Sequence, residues 1–335
     1  ITKRCLISAT IMLAMRTPRE LPQELSQSTY TVYDSDALGV SRGTLRNVRI
    51  RRISRAIRAA DNLDLSDRSS SLPPERIAPF TRVTSFSVAS HRTAAEAWGF
   101  PLPVVPGRAP ELHITRPEGL APPRRFGVVG HTGRILPGEV TTLEGLVLTS
   151  RVKTWLDLSK DLTVEELTVI TDYLIRFPRP LFEERSDPYA TQEELAEIIG
   201  RHPGQRGIRT AREALQLSRV GADSPPETQL RLALGAAGLP EPEVNAPIVD
   251  DDGVLHHEPD LGYRKYRVAV QYEGAGHSDP EQVARDISRE ERTRALGWTE
   301  VRLSRRHMVD GARPAVEKVR AALWAAGWRA DRPAA

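Results

Sequence analysis

V-L-H-H-E-P-D-L-G-Y-R-K-Y-R-V-A-V-Q-Y-E-G-A-G-H, residues 254–277, is the stretch whose reading decides the fold. A short apolar run comes to a Pro-Asp pair, Pro259-Asp260, and a second run then alternates strictly. Tyr266, Val268, Val270 and Tyr272 fall on one face of a strand, and Arg267, Ala269, Gln271 and Glu273 on the other, because side chains alternate along a strand. This pattern predicts Asp260, Gln271 and Glu273 at one edge of a sheet, with His277 just past a glycine turn. Clustered oxygen ligands at a strand end suit magnesium, a hard cation that assists phosphodiester hydrolysis. The competing reading is an ordinary hairpin with solvated polar ends.

Pro259-Asp260 followed by V-A-V-Q-Y-E-G-x-x-H at 268–277 resembles the PD-(D/E)xK nuclease superfamily, in its actinobacterial branch related to very-short-patch-repair endonucleases. The resemblance covers roughly 222–328. S-P-P-E-T-Q-L-R-L-A-L-G-A-A-G-L-P at 224–240 is similar to the branch's opening helix, which makes Glu227 its glutamate. The arginine-rich segment ending A-L-G-W at 295–298, then V-R-L, is similar to its later helix and strand. The resemblance implies a restriction-endonuclease-like α/β/α domain with a mixed sheet. It also implies Mg2+ held by Asp260, Glu273 and Glu227, with Gln271 a weak contributor and His277 as general base. Where the branch usually carries glutamate-x-aspartate, this chain has Gln271-Tyr272-Glu273, and Glu273 stands where the superfamily keeps its lysine. Glutamine offers a neutral carbonyl oxygen and no charge, so cation affinity should fall. A fold that keeps its shape without cutting DNA is therefore the alternative.

The chain has 335 residues, 39% hydrophobic and 27% charged, with a formal net charge of +3. That length suits two or three domains with a sizeable core. A single cysteine, Cys5, excludes an internal disulfide framework and a cysteine zinc site. Ile1–Met15 places Lys3 and Arg4 before an apolar run, without a cleavage signature and too short to span a bilayer. Residues 1–14 thus read as a mistranslated leader, and a cytoplasmic protein with no membrane partner is expected.

Between 28 and 60 the chain reads as a DNA-binding head. Val32–Leu38 is a first helix, Gly39-Val40 a turn, and Ser41 the N-cap of a second helix through about Val48. Arg42, Arg46, Arg49, Arg51, Arg52, Arg55 and Arg58 crowd residues 42–58 without a single acid. Such a cluster repels itself unless something neutralises it, and the phosphates of duplex DNA would do so. The L-G-V-S-R-G-T-L-R pattern at 38–46 resembles the winged-helix region of abortive-infection-type antitoxins, which implies a cognate toxin protein as a further partner. A homodimer is compatible with this reading.

Residues 61–79 read as a linker. An α+β middle over 78–177 follows, with strands at Glu111–Thr115 and Phe126–His131 and helices at 91–99, Val152–Leu158 and Val164–Phe177. His91, His113 and His131 are each isolated on a mixed face and read as structural. A helical bridge over 178–221 carries a helix near Thr191–Ile199 and an H-P-G-Q-R-G-I-R turn at 202–209, whose helix N-terminus could accept a phosphate. Arg285, Arg289 and Arg292 fall at i, i+4 and i+7. They make a helical stripe that would follow a DNA strand toward the carboxylates, although Asp286, Glu290 and Glu291 interleave with them. The whole is an α/β chain, α+β overall: a winged-helix head, an α+β middle and a nuclease-like C-terminal domain.

Overall fold

A computed structural model describes residues 21–46, 49–60, 72–105, 111–180, 183–250, 252–274 and 289–330. The leader at 1–14, Val48, His277 and Arg285 lie outside the described residues.

At the head, α1 (Gln23–Ser26) leads to β1 (Thr29–Thr31) and α2 (Val32–Ala37). A reciprocal capping box starts α2: Asp34 N donates to Thr31 Oγ1 at 3.0 Å and Thr31 N donates to Asp34 Oδ2 at 2.8 Å. Such a cap typically stabilises a helix by about 1 kcal/mol. Gly39, at φ +69°, turns the chain as the sequence predicts. The second helix does not extend over its described part. Ser41 Oγ accepts from Thr44 N as a cap should, but a single 3-10 turn, Thr44–Arg46, follows. β2 (Ile50–Ser54) and β3 (Ile57–Ala60) then form a hairpin, and the sheet order is β1-β3-β2, with β2 at the edge.

The segment expected to be a linker is partly helix. α3 (Pro74–Arg82) buries Ile77, Ala78 and Phe80. Proline at the first helical position forfeits only an N–H that a helix start leaves unpaired, so a proline run can open a helix. Ile77 and Ala78 pack in one cluster with Ile57 of β3 and with Ile114, Leu146 and Leu148 of the middle. Head and middle thus share a core.

The middle carries β4 (Val88–Ala89), α4 (His91–Ala97), β5 (Leu112–Pro117), β6 (Val128–Gly133), β7 (Val140–Leu143) and β8 (Leu146–Thr149). Its mixed sheet runs β6-β5-β4-β8-β7, with β5 parallel to β6 and antiparallel to β4. Helices α5 (Arg151–Leu158), α6 (Val164–Ile175), α7 (Gln192–Arg201) and α8 (Ile208–Leu217) follow. The segment read as a bridge joins its neighbours: Leu195, Ile198, Ala211 and Ala214 share one core with Trp155, Leu167, Ile170 and Leu174. Phe177, expected on that apolar stripe, is exposed, because α6 ends two residues earlier ahead of Pro178.

The C-terminal part runs α9 (Pro225–Ala236), β9 (Glu243–Val244), β10 (Ile248–Val249), β11 (Leu255–His257), β12 (Leu261–Tyr263), β13 (Val268–Glu273), α10 over 289–295, β14 (Thr299–Ser304) and α11 (Val309–Ala325). Its main sheet is mixed, in the order β14-β13-β12-β9, with β13 and β14 parallel. Val268 and Val270 pack with Leu230 and Leu234 of α9 and Val316 and Val319 of α11. Ala269 packs on the other face, against Ile248 and Trp298. The alternation read from sequence therefore holds within β13. Tyr266 reaches the same core from a 3-10 turn, and Arg267, in the left-handed region at φ +51°, precedes the strand. The chain is α+β overall, and no helix among the described residues is long and apolar enough to cross a membrane.

Candidate functional site

Antiparallel pairing of β12 with β13 sets Leu261 opposite Val270, which brings the preceding Asp260 beside Gln271. Gln271 Nε2 donates to Asp260 Oδ1 at 2.7 Å, and Tyr272 N donates to its Oδ2 at 2.6 Å. Glu227 sits in the first turn of α9, accepting from Asp223 N at 2.9 Å and from Ser224 Oγ at 2.7 Å. Both carboxylates line one cavity of about 410 Å³ with Arg176, Arg179, Glu183 and Asp223. Burial, then the charge of Asp260, pushes Glu227 up to about 7. Burial also raises Asp260, against the pull of its two donors. Arg176 bridges Glu183 at 2.6 Å and Asp223 at 3.5 Å, and Arg179 also pairs with Asp223.

Asp260, Gln271 and Glu227 are thus brought to one place, and Glu273 is not. It pairs with Arg302 of β14 at 3.5 Å and lies outside the cavity lining. Sequence reasoning missed Asp223, which sits on the cavity wall, and Arg176 and Arg179, which come from a different part of the chain. His256 bonds Asp250 at 2.7 Å, whereas the half-buried His257 ring lies among Arg289, Glu300 and Gln271, held below its usual range first by burial. Gln271 Oε1 is buried on the side of the His257 ring. Asp260, Glu227 and Asp223 bring carboxylate oxygens to one cavity, a donor set that fits a hard cation.

The arginines of the head divide. Arg46, Arg49, Arg51, Arg52 and Arg55 are exposed, Arg42 pairs with Asp36 at 2.5 Å, and Arg58 donates to the Ile57 carbonyl at 3.0 Å. Beside the β2–β3 hairpin, a groove of about 550 Å³ is lined by Arg52, Arg55, Arg116, Arg124 and Arg125, with no acid among the described residues of its lining. Arg125 donates to the Arg55 carbonyl at 2.6 Å, tying the hairpin to the middle sheet. Phe126 stands 91% exposed on the groove lining, a ring face free for stacking. Pro123, also on the lining, can approach only because residue 130 is glycine: a Cβ there would meet the Pro123 carbonyl oxygen at 2.1 Å. P-P-R-R-F at 122–126 was the available signal, but nothing in it shows that the stretch folds against the head.

The C-terminal stripe is less open. Arg289 lies 3.9 Å from Glu300, Arg292 is exposed, and Arg294 pairs with Glu290 at 2.7 Å. In the H-P-G-Q-R-G-I-R turn the backbone packs closely on the C-terminal end of α5. Gly207, at φ +87°, caps α8 while pressed on the Ser159–Lys160 backbone, where a Cβ would fall 2.4 Å from Lys160 N.

The three histidines read as isolated converge. His91 opens α4, one residue past β4, and His113 and His131 lie on the paired strands β5 and β6. Thr115 opposes His131 across the ladder, so His113 and His131 are offset by two residues and face the same way. His113 Nδ1 lies 3.0 Å from His131 Nε2, and the His91 ring stacks on His131 with centroids 4.0 Å apart. Burial, reinforced by His131 and Lys160, drives His91 far below the usual imidazole range. Burial and Lys160 lower His131 to about 4.

No family model matches the chain. Two uncharacterized proteins of Mycobacterium tuberculosis, one from strain CDC 1551 / Oshkosh and one from strain H37Rv, are each 33% identical to it over 109 residues. The match takes in 32% of this chain and 40% of the length of each relative.

Proposed function

We propose that this protein binds duplex DNA through the arginines of its head and hydrolyses a phosphodiester at the Asp260–Glu227 cavity. The observation that carries the reading is the cavity itself: a buried carboxylate, Glu227, raised by burial and by the charge of half-buried Asp260, flanked by the guanidinium groups of Arg176 and Arg179. The order β14-β13-β12, with α9 packed behind it and Glu227 brought to Asp260, supports a restriction-endonuclease-like domain. The edge hairpin after a capped helix supports a winged-helix head. Magnesium would be held by Asp260 and Glu227, with Asp223 at the rim. When bound it would polarise a phosphoryl oxygen and lower the pKa of an attacking water. Arg176 and Arg179 would steady the phosphate, as planar guanidinium groups do. His277 would take the proton from water, and His277→Ala should slow cleavage about 10²–10⁴-fold. A DNA partner would put the working protein in the cytoplasm.

A second reading, an antitoxin-type regulator with a nuclease fold that no longer cuts, is favoured by one observation. Gln271 stands where a charged ligand belongs and spends its amide on Asp260. Plasmid and short duplexes incubated with purified protein, with and without magnesium, separate the two. Magnesium-dependent nicking upholds the first, and binding without cutting upholds the second. Salt dependence tests the head: affinity should fall with a log–log slope of about −0.9 per phosphate contact, and replacing Arg51 and Arg52 together should flatten it by roughly two units.

A further inference from the structure

We propose that His91, His113 and His131 bind one borderline divalent transition metal, zinc above others, through one ring nitrogen each, leaving a fourth position open. Among the described residues, theirs is the group that brings three candidate ligand atoms within 4.8 Å of one another. Three imidazoles suit zinc, copper or nickel, whereas magnesium and calcium take oxygen ligands. In a tetrahedral zinc site with bonds of about 2.0–2.1 Å, the ligand nitrogens lie roughly 3.3 Å apart. The His113–His131 nitrogens, 3.0 Å apart, are near that spacing, and with all three ligand atoms within 4.8 Å of one another, rotation of the stacked rings about their side-chain bonds would close the set.

Two further observations point to a ligand. His91 has φ +49°, a left-handed backbone at the first residue of α4 that a non-glycine residue adopts at a cost. Packing holds it there and delivers its ring onto His131. Its orientation is also fixed from behind. Ser90 Oγ lies 3.0 Å from His91 Nδ1 and is itself 2.6 Å from Thr115 Oγ1, the kind of outer partner that orients metal-binding histidines.

The charges nearby are accounted for. Lys153 is paired with buried Asp157. Lys160 Nζ lies 3.5 Å from His131 Nδ1 and 4.0 Å from Asp161, so its flexible stem can carry the ammonium to that carboxylate when a cation arrives. This site is separate from the Asp260 cavity and does not depend on how that cavity works.

The test is titration of the metal-free, full-length protein with cobalt, read by its visible absorption, followed by displacement with zinc. One equivalent should bind with the intense bands of a low-symmetry site, and zinc should raise the thermal midpoint. His131→Ala should weaken binding at least 100-fold, while His256→Ala, which removes the ring beside Asp250, should leave it unchanged. Absence of cobalt bands in the parent protein, or binding that survives His131→Ala, overturns the proposal. If His131→Ala does not fold, Lys160→Met decides. Removing a competing positive charge a few ångströms away should tighten zinc about ten-fold or more, and an affinity that stays level or falls places the metal elsewhere.

Discussion

The carboxylate cavity of the C-terminal sheet and the histidine cluster of the middle sheet were built in opposite ways. Asp260 and Glu227 belong to a recognisable sequence pattern, yet their oxygens are already engaged: Asp260 by Gln271 and Tyr272, Glu227 by Ser224 and Asp223. The histidines belong to no pattern, yet their rings meet one another. Burial raises the acids and lowers the imidazoles, so each set is pushed toward its neutral form. A motif thus records which residues share a neighbourhood. Whether their lone pairs converge on an open position is decided by register and by the neighbours' hydrogen bonds.

The largest effect should come from the acids. If the cavity cuts DNA with magnesium as proposed, Asp260→Asn removes one charge that would hold the cation, worth several kcal/mol of transition-state stabilisation, so magnesium-dependent nicking of supercoiled plasmid should fall by about three orders of magnitude or more. His131→Ala should nick at the parental rate if the two regions are independent. Equal losses in both variants would erase the distinction drawn between them.

A smaller effect is expected at the joint between the regions. α6 packs in the middle core and α9 carries Glu227, and buried Asp172 of α6 links them. Its carboxylate accepts from Arg231 at 2.8 Å, Thr228 Oγ1 at 2.9 Å and Arg219 N at 2.8 Å. Asp172→Ala leaves the Arg231 guanidinium buried without that partner, and urea unfolding should show a loss of about 3–5 kcal/mol. If cobalt binding at the histidines survives while nicking is lost, the joint serves the C-terminal cavity alone. A loss below about 1 kcal/mol would mean that water or Glu241, 3.9 Å from Arg231, replaces the carboxylate.

What was legible in the sequence follows the range of the interaction. Helix α7 was legible because Thr191 and Glu194 form a capping box three residues apart. The faces of β13 were legible because alternation is local, and Asp260 beside Gln271 because a short hairpin-like return fixes their pairing. The histidines were not, because a parallel ladder joins β5 to β6 and no spacing encodes its register. Arg176, Arg179 and Asp223 were missed for the same reason: they reach Asp260 through packing between α6 and α9, far apart in the chain. The second helix of the head was overestimated from Ser41, since a cap signals where a turn begins and says nothing of how far it continues.

The smallest effect sharpens the contrast through pH. Glu227 stands at about 7 in the fold against an ordinary 4.5, so the folded protein holds its proton more tightly than the unfolded chain. Its contribution is fully present below pH 4.5 and is lost as pH rises through 7. His131 stands at about 4 against 6.5, so its contribution is present above pH 6.5 and is lost as pH falls through 4. Each is on the order of 1–2 kcal/mol once relaxation and solvent are allowed for. Glu227→Gln mimics the protonated acid. Under chelator, its advantage over the parent should be small at pH 5 and grow to roughly 2 kcal/mol at pH 8, with the acid-side decline unchanged. The measurement is urea unfolding at one-unit steps from pH 5 to 8. Parallel profiles for parent and variant would show that Asp260 and burial do not hold the proton on Glu227, and the cavity would lose the like-charge repulsion that a cation is proposed to relieve.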